Sequence, residues 1–219
     1  TSDFGEVFQA QTAIVNLYRN DIQLYQNTKE NQMRTLLAFN AIPTQLAKEN
    51  KRFIYKEVQA NRRSRDFKNA MAWLDQSGDV LMCHQVKHTR GSLIDGKTEL
   101  FKLYMNDVGL LVSMFGPEYV YKIQTNMGDL FKGAIYEQLV AQILKSKGHP
   151  LYYYKETSLE IDFLVSHQGQ IIPIEVKSGH NTKSKSLQAY QIKKDPPWAL
   201  KVSLNPYKKE NTTVEHVPH

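Results

Sequence analysis

The sequence predicts an α/β protein in two parts, a helical module followed by an α/β domain. Three observations predict it. Apolar residues recur at helical spacing through the first third of the chain. Alternating apolar runs first appear near Val80. Beyond residue 128 one amphipathic helix precedes three short apolar runs and a further helical stretch, the order of an α/β sandwich.

Each element has a local reason. Residues 9–26 carry Ala13, Ile14, Leu17, Tyr18, Ile22 and Tyr25 on helical spacing, and residues 30–39 do the same through Met33, Leu36 and Leu37. Pro43 suits a first helical turn. Ser64 is placed as the N-cap of a helix running to Gln76, with Phe67, Ala70, Met71 and Leu74 on one face. Ser77-Gly78 ends it. Val80 to Val86 reads as a strand, HTRGSLIDGKT as a loop, and Phe101, Leu103 and Met105 as the apolar side of a returning strand. Three helices and a two-stranded wing form the winged-helix pattern, whose third helix enters the major groove of DNA. Residues 107–127, with Gly109, Gly116 and Pro117, read as a connector. Residues 130–146 form an amphipathic helix, followed by strands at Leu151–Tyr154, Leu159–Val165 and Ile171–Val176 and a helix over 183–194. The expected division is therefore a winged-helix-like module over 1–106, a connector over 107–127 and an α/β domain over 128–219.

Composition narrows the class. Apolar residues make up 41% and charged residues 23% of the 219, which suits a packed core. No apolar run approaches the roughly 18 residues of a membrane span. The start, TSDFGEVFQA, lacks the pattern of a signal peptide. It begins at Thr1 rather than Met, as a piece of a longer protein would. The single cysteine, Cys83, fits a reducing cytoplasm, and with His84 and His88 it provides too few ligands for structural zinc.

Net charge is +6, and the excess is local. Between Lys48 and Lys68 stand Lys48, Lys51, Arg52, Lys56, Arg62, Arg63, Arg65 and Lys68, opposed only by Glu49, Glu57 and Asp66. Such a stretch attracts phosphate backbones by releasing their counterions. Arg62, Arg63, Arg65 and Lys68, at the proposed third helix, are the candidate nucleic-acid contacts. A solvated face that binds nothing in particular is the competing reading.

GSLIDGKT, residues 91–98, matches the phosphate-binding P-loop pattern in full. The chemistry needs a helix directly after the loop, so that its N-terminal N–H groups hold phosphate. ELFKLYM follows instead and alternates as a strand does. The motif is read as turn residues at a loop tip.

The chemistry-bearing constellation lies further on. Glu137 sits in GAIYEQLV, on the helix face near the core. Asp162 lies in LEIDFLV, and Glu175 and Lys177 in IPIEVKSG. In a strand, residues 175 and 177 share a face. An adjacent strand carrying Asp162 would bring two carboxylates and an ammonium together. Mg²⁺ takes hard oxygen ligands, often one or two carboxylates completed by waters and substrate phosphate. Asp162 and Glu175, with the Val176 carbonyl, are the expected ligands for Mg²⁺ or Mn²⁺. Lys177 is placed on the attacking water and Glu137 at a second ion or a bound water. A structural ion-pair set around Lys177 is the alternative.

The segments SRDFKNAMAWLDQSGDV, FKLYMNDVGLL, KGAIYEQLV, EIDFLV and IPIEVKSG, in this order, resemble the C-terminal region of a prokaryotic family of predicted AAA+ ATPases. The resemblance implies a winged-helix segment and a restriction-endonuclease-like, PD-(D/E)XK type domain of unknown function. Glu137 then matches the helix glutamate of that core, Asp162 its motif aspartate, and Glu175 with Lys177 its E-x-K pair. The ATPase module is absent, so ATP enters only through that missing part. Ile161 stands where such domains often have Pro. The Q-x-x-x-Y helix of some exonucleases is missing after Lys177, which argues against an exonuclease. The resemblance implies a cytoplasmic protein whose partners are DNA and its own ATPase module. Its activity would be Mg²⁺-dependent endonucleolytic cleavage or, alternatively, non-catalytic DNA or protein binding on a degenerate nuclease fold.

Overall fold

The computed structural model describes residues 3–89, 91–124, 129–179, 183–209 and 214–218. The protein is mixed α/β, with helices preceding the sheet. It divides into two compact units, residues 1–81 with 103–131 and residues 82–102 with 132–219.

The first unit is helical. Helix α1 spans Phe4–Tyr25 and starts where Asp3 accepts the Gly5 N–H; Val15 and Ile22 face its core. Thr28 caps α2 (Lys29–Asn40) by accepting from Asn31 N. Pro43 lies in the first turn of the short α3, Ile42–Leu46. One turn, α4, covers Tyr55–Val58. Buried Gln45 holds the approach to it, accepting from Ile54 N at 3.0 Å and donating to Ile54 O at 3.1 Å. Phe39, Ile42, Phe67 and Leu74 are fully buried, and Tyr18 meets Phe39 edge to face.

Ser64 does not cap a helix. Residues Ser64–Phe67 form a 3₁₀ turn, and α5 begins only at Lys68 and runs to Ser77. Asp66 is the reason: its Oδ2 accepts the Arg63 N–H at 2.8 Å, so the side chain three residues on closes the first turn. Gly78, at φ +78°, ends α5 as expected.

The expected connector is helical. Helix α6 covers Val108–Met114 and α7 covers Pro117–Gln124. Asp107 starts α6 by accepting both Gly109 N and Leu110 N. Pro117, read above as a loop residue, opens α7, where its missing N–H costs nothing.

An eight-stranded sheet runs in the order β2-β1-β3-β4-β5-β6-β8-β7. Its strands are β1 Val80–Val86, β2 Lys97–Met105, β3 Tyr152–Glu156, β4 Leu159–His167, β5 Gln170–Val176, β6 Ala199–Ser203, β7 Lys208–Lys209 and β8 Val214–Pro218. The expected wing is part of this sheet: β1 pairs with β3 in parallel, His84 opposite Tyr152 and Val86 opposite Tyr154. Residues 82–102 accordingly group with 132–219, a division unlike the one drawn from sequence. Cys83 and Val86 are fully buried, which an exposed wing would not provide. Lys97 and Thr98 of GSLIDGKT already belong to β2, so no helix follows that loop.

Strands β3, β4 and β5 form an antiparallel meander. Gln168 and Gly169 turn β4 into β5 at φ +51° and +76°, the two positive values that a primed hairpin turn needs. Two helices belong with the sheet, α8 over Asp129–Ser146 and α9 over Lys185–Lys194. Ser184 caps α9 by accepting from Leu187 N. Leu187 and Tyr190 of α9 join Val86, Tyr152, Tyr154, Ile161, Leu164 and Val214 in one core.

Candidate functional site

The site is built on an irregularity in β4. Tyr154 lies opposite Ile161 and Tyr152 opposite Leu164, so two steps along β3 match three along β4. Asp162 and Phe163 together face Tyr153, which is the signature of a β-bulge. Glu160 and Asp162, two residues apart on the side of the bulge nearer the strand start, keep their alternation, and both face Lys102. Asp162 Oδ2 accepts the Val176 N–H at 2.8 Å. That bond ties β4 to the end of β5 where Glu175 and Lys177 stand.

Glu175 is 5% exposed. Its Oε1 accepts from Lys177 Nζ at 2.7 Å, whereas its Oε2 is buried with no hydrogen-bond partner among the described residues. A buried carboxylate oxygen without a donor is costly. The register partner of Glu175 on β6 is Lys201, itself buried.

Glu137 goes elsewhere. Its Oε1 lies 2.9 Å from Lys102 Nζ, and the same ammonium stands 2.9 Å from Glu160 Oε1 and 3.9 Å from Asp162 Oδ1. It also lies 4.9 Å over the Tyr153 ring. Lys155 reaches the other oxygen of Glu160 at 2.6 Å. Burial opposes the charge on Lys102, but Glu137, Asp162 and Glu160 outweigh it and raise its pKa well above the lysine value. For Glu160 burial likewise opposes ionisation, yet Lys102 and Lys155 hold its pKa below the usual range. Cys83, fully buried, has its thiol pKa raised by desolvation.

Asp162 links two groups: one oxygen is tied to Val176 N, next to Glu175 and Lys177, and the other faces Lys102, as do Glu137 and Glu160. The sequence reading placed Lys102 on the polar side of a strand. Lys102 and Tyr104 share that side, and both are buried, as is the Phe101 and Leu103 region. A strand covered on both faces makes an internal lysine an ion-pair residue, and the signal was LEID carrying a second carboxylate, Glu160. Among the described residues no group of three or more His, Cys, Asp or Glu side chains is arranged to hold a metal. Mg²⁺, however, is often held by two carboxylates with waters. The unpartnered Oε2 of Glu175 is an observation that fits such an ion.

The basic candidates lie in the helical unit. Arg63, Arg65 and Lys68 are exposed and Arg62 is half-buried. Asp66 among them has its pKa lowered by the Arg63 N–H and by the charges of Arg62, Arg34 and Arg65.

Residues 2–119 match the family described as a domain of unknown function (DUF8612), and that stretch is over half of the chain. The chain belongs to the DUF8612 family. A second stretch of this DUF8612 member, residues 132–217, matches a domain of unknown function (DUF4143). It carries Glu137, Asp162, Glu175 and Lys177, whereas Lys102 lies within the first match, 2–119. No curated protein matches the chain, and no solved structure does. Among the described residues no helix is long and apolar enough to cross a membrane.

Proposed function

We propose that the DUF4143-matching part is a nuclease-like site that engages nucleic-acid phosphodiesters with one divalent ion, Mg²⁺ or Mn²⁺, held by Asp162 and Glu175. The observation that carries this reading is Glu175, buried and with Oε2 unpartnered among the described residues, beside the Asp162 carboxylate fixed on Val176 N–H. An ion bound there would polarise a phosphodiester and acidify a water. Lys177, within reach of Glu175, orients the attacking water and counters the charge that develops in the transition state. Asp162 and Glu175 supply hard oxygen ligands, with the Val176 carbonyl beside them. Glu137 serves Lys102 and is not a ligand in this reading.

The wider assignment follows the family resemblance. The chain acts as the C-terminal part of a cytoplasmic AAA+ ATPase, with Arg62, Arg63, Arg65 and Lys68 on the DNA backbone. A second reading, a binding module that does not cleave, is favoured by the Lys102 cluster, in which an ammonium already neutralises buried carboxylates. The deciding experiment is nicking of supercoiled plasmid and of single strands with Mg²⁺ or Mn²⁺, for this chain and for the chain joined to its ATPase module. Cleavage that disappears in Lys177→Ala supports the nuclease reading. No cleavage of any substrate, with lowered stability as the sole Lys177→Ala phenotype, supports the binding module.

A further inference from the structure

We infer that Lys102 is a built-in cation standing where a second metal ion would bind, so that the site takes one divalent ion and Glu137 is a partner of lysine rather than a metal ligand. The inference rests on the proposed reading only for the ion at Asp162 and Glu175; the role of Lys102 is independent of it.

Three carboxylates from two elements converge on one point. Oxygens of Glu137 on α8 and of Glu160 and Asp162 on β4 lie 2.9, 2.9 and 3.9 Å from Lys102 Nζ. Oxygen ligands lie about 2.1 Å from Mg²⁺ and about 2.3–2.6 Å from Ca²⁺. Inward shifts of roughly 1–2 Å would therefore turn this cage into a metal shell, were the ammonium gone. The ammonium also sits over the Tyr153 ring, whose face attracts cations of any kind. Lys102 and Glu137 are almost fully enclosed, with side chains 1% and 2% exposed, so the charges cannot be left to solvent. Without a cation at this point the carboxylates would have to take up protons, and the chain provides the cation itself.

The lysine also acts on the neighbouring carboxylate. Asp162 has one oxygen on Val176 N–H and the other facing Lys102. Both contacts orient the carboxylate. Lys102 is in this sense a positioning residue for Asp162 and touches no substrate.

The test is Mn²⁺ bound per chain, measured from the free-ion electron paramagnetic resonance signal, for the parent, Lys102→Ala and Glu137→Gln. Removing Lys102 exposes three carboxylates to one cavity, so Lys102→Ala should bind one Mn²⁺ more than the parent. Glu137→Gln, with the lysine kept, should bind as many as the parent. The parent count itself reports on the Asp162–Glu175 reading: no ion in the parent ends that reading, while the gain in Lys102→Ala still decides the role of Lys102. Should Lys102→Ala lose its fold without metal, Mn²⁺ should restore a cooperative unfolding transition. A Lys102→Ala chain that Mn²⁺ neither loads nor refolds would overturn the inference, as would loss of one bound ion in Glu137→Gln.

Discussion

The Lys102 ammonium stands 2.9 Å from Glu137 Oε1, and neither side chain is more than 2% exposed. Removing one member of a buried pair leaves an uncompensated charge, typically at about 3–5 kcal/mol. Lys102→Met should therefore lower unfolding stability by about that amount in urea titration. Here the remaining charges are Glu137, Glu160 and Asp162, so the loss should shrink when Glu137→Leu is added. A Lys102→Met chain within about 1 kcal/mol of the parent, the range of an exposed pair, would show that the cluster contributes little.

The same cluster sets a pH dependence. Glu160 has its pKa lowered in the folded state. Its contribution is present above the unfolded value of about 4.3 and is lost as pH falls through the lower folded value. Lys102 has its pKa raised. Its contribution is complete below the unfolded value of about 10.4 and is lost only as pH rises through the higher folded value. The melting temperature should thus fall below about pH 4, and Glu160→Gln should flatten that fall. Identical acid limbs for the two chains would remove Glu160 from the account.

DNA binding, if it resides in the basic stretch, should follow counterion release. Arg63→Ala, Arg65→Ala and Lys68→Ala, each at an exposed position, should weaken binding about uniformly across sequences and lower the salt slope by about one unit each. Fluorescence anisotropy over a salt series measures this. An unchanged slope in the triple variant would leave the charge as a solvated face.

Periodicity made much of the fold legible. The helices α1, α2, α5, α8 and α9 and the strands β1 and β3–β5 lie near where apolar spacing placed them. The buried face differs in α1 and α2: Val15 and Ile22, Ala38 and Phe39 are buried, whereas Ile14, Leu17, Tyr25 and Met33 are exposed. Asp107 and Pro117 carried start signals for α6 and α7, but the glycines at 109 and 116 outweighed them in a short segment. The strands β6–β8 are short, and β7 has two residues, too few for alternation to register. The parallel pairing of β1 with β3 joins segments more than sixty residues apart, which no local pattern encodes. In the site, Asp162, Glu175 and Lys177 were legible because charges inside apolar strands need a reason. Lys102 was not, since alternation with Phe101 and Leu103 gives a solvent-facing lysine and an enclosed one the same spacing.

The central claim is that Asp162 and Glu175 together hold one divalent ion. Calorimetric titration with Mn²⁺ tests it most directly, on the parent, Asp162→Ala, Glu175→Ala and Lys177→Ala. Each carboxylate variant deletes a ligand and should weaken binding at least about tenfold, a loss of 1.4 kcal/mol or more. Lys177→Ala should bind nearly as the parent does, because an interaction made only in the transition state affects rate and not affinity. One Mn²⁺ per parent chain, lost in both carboxylate variants and kept in Lys177→Ala, is the predicted result; equal, negligible binding by the parent and by Asp162→Ala would contradict it.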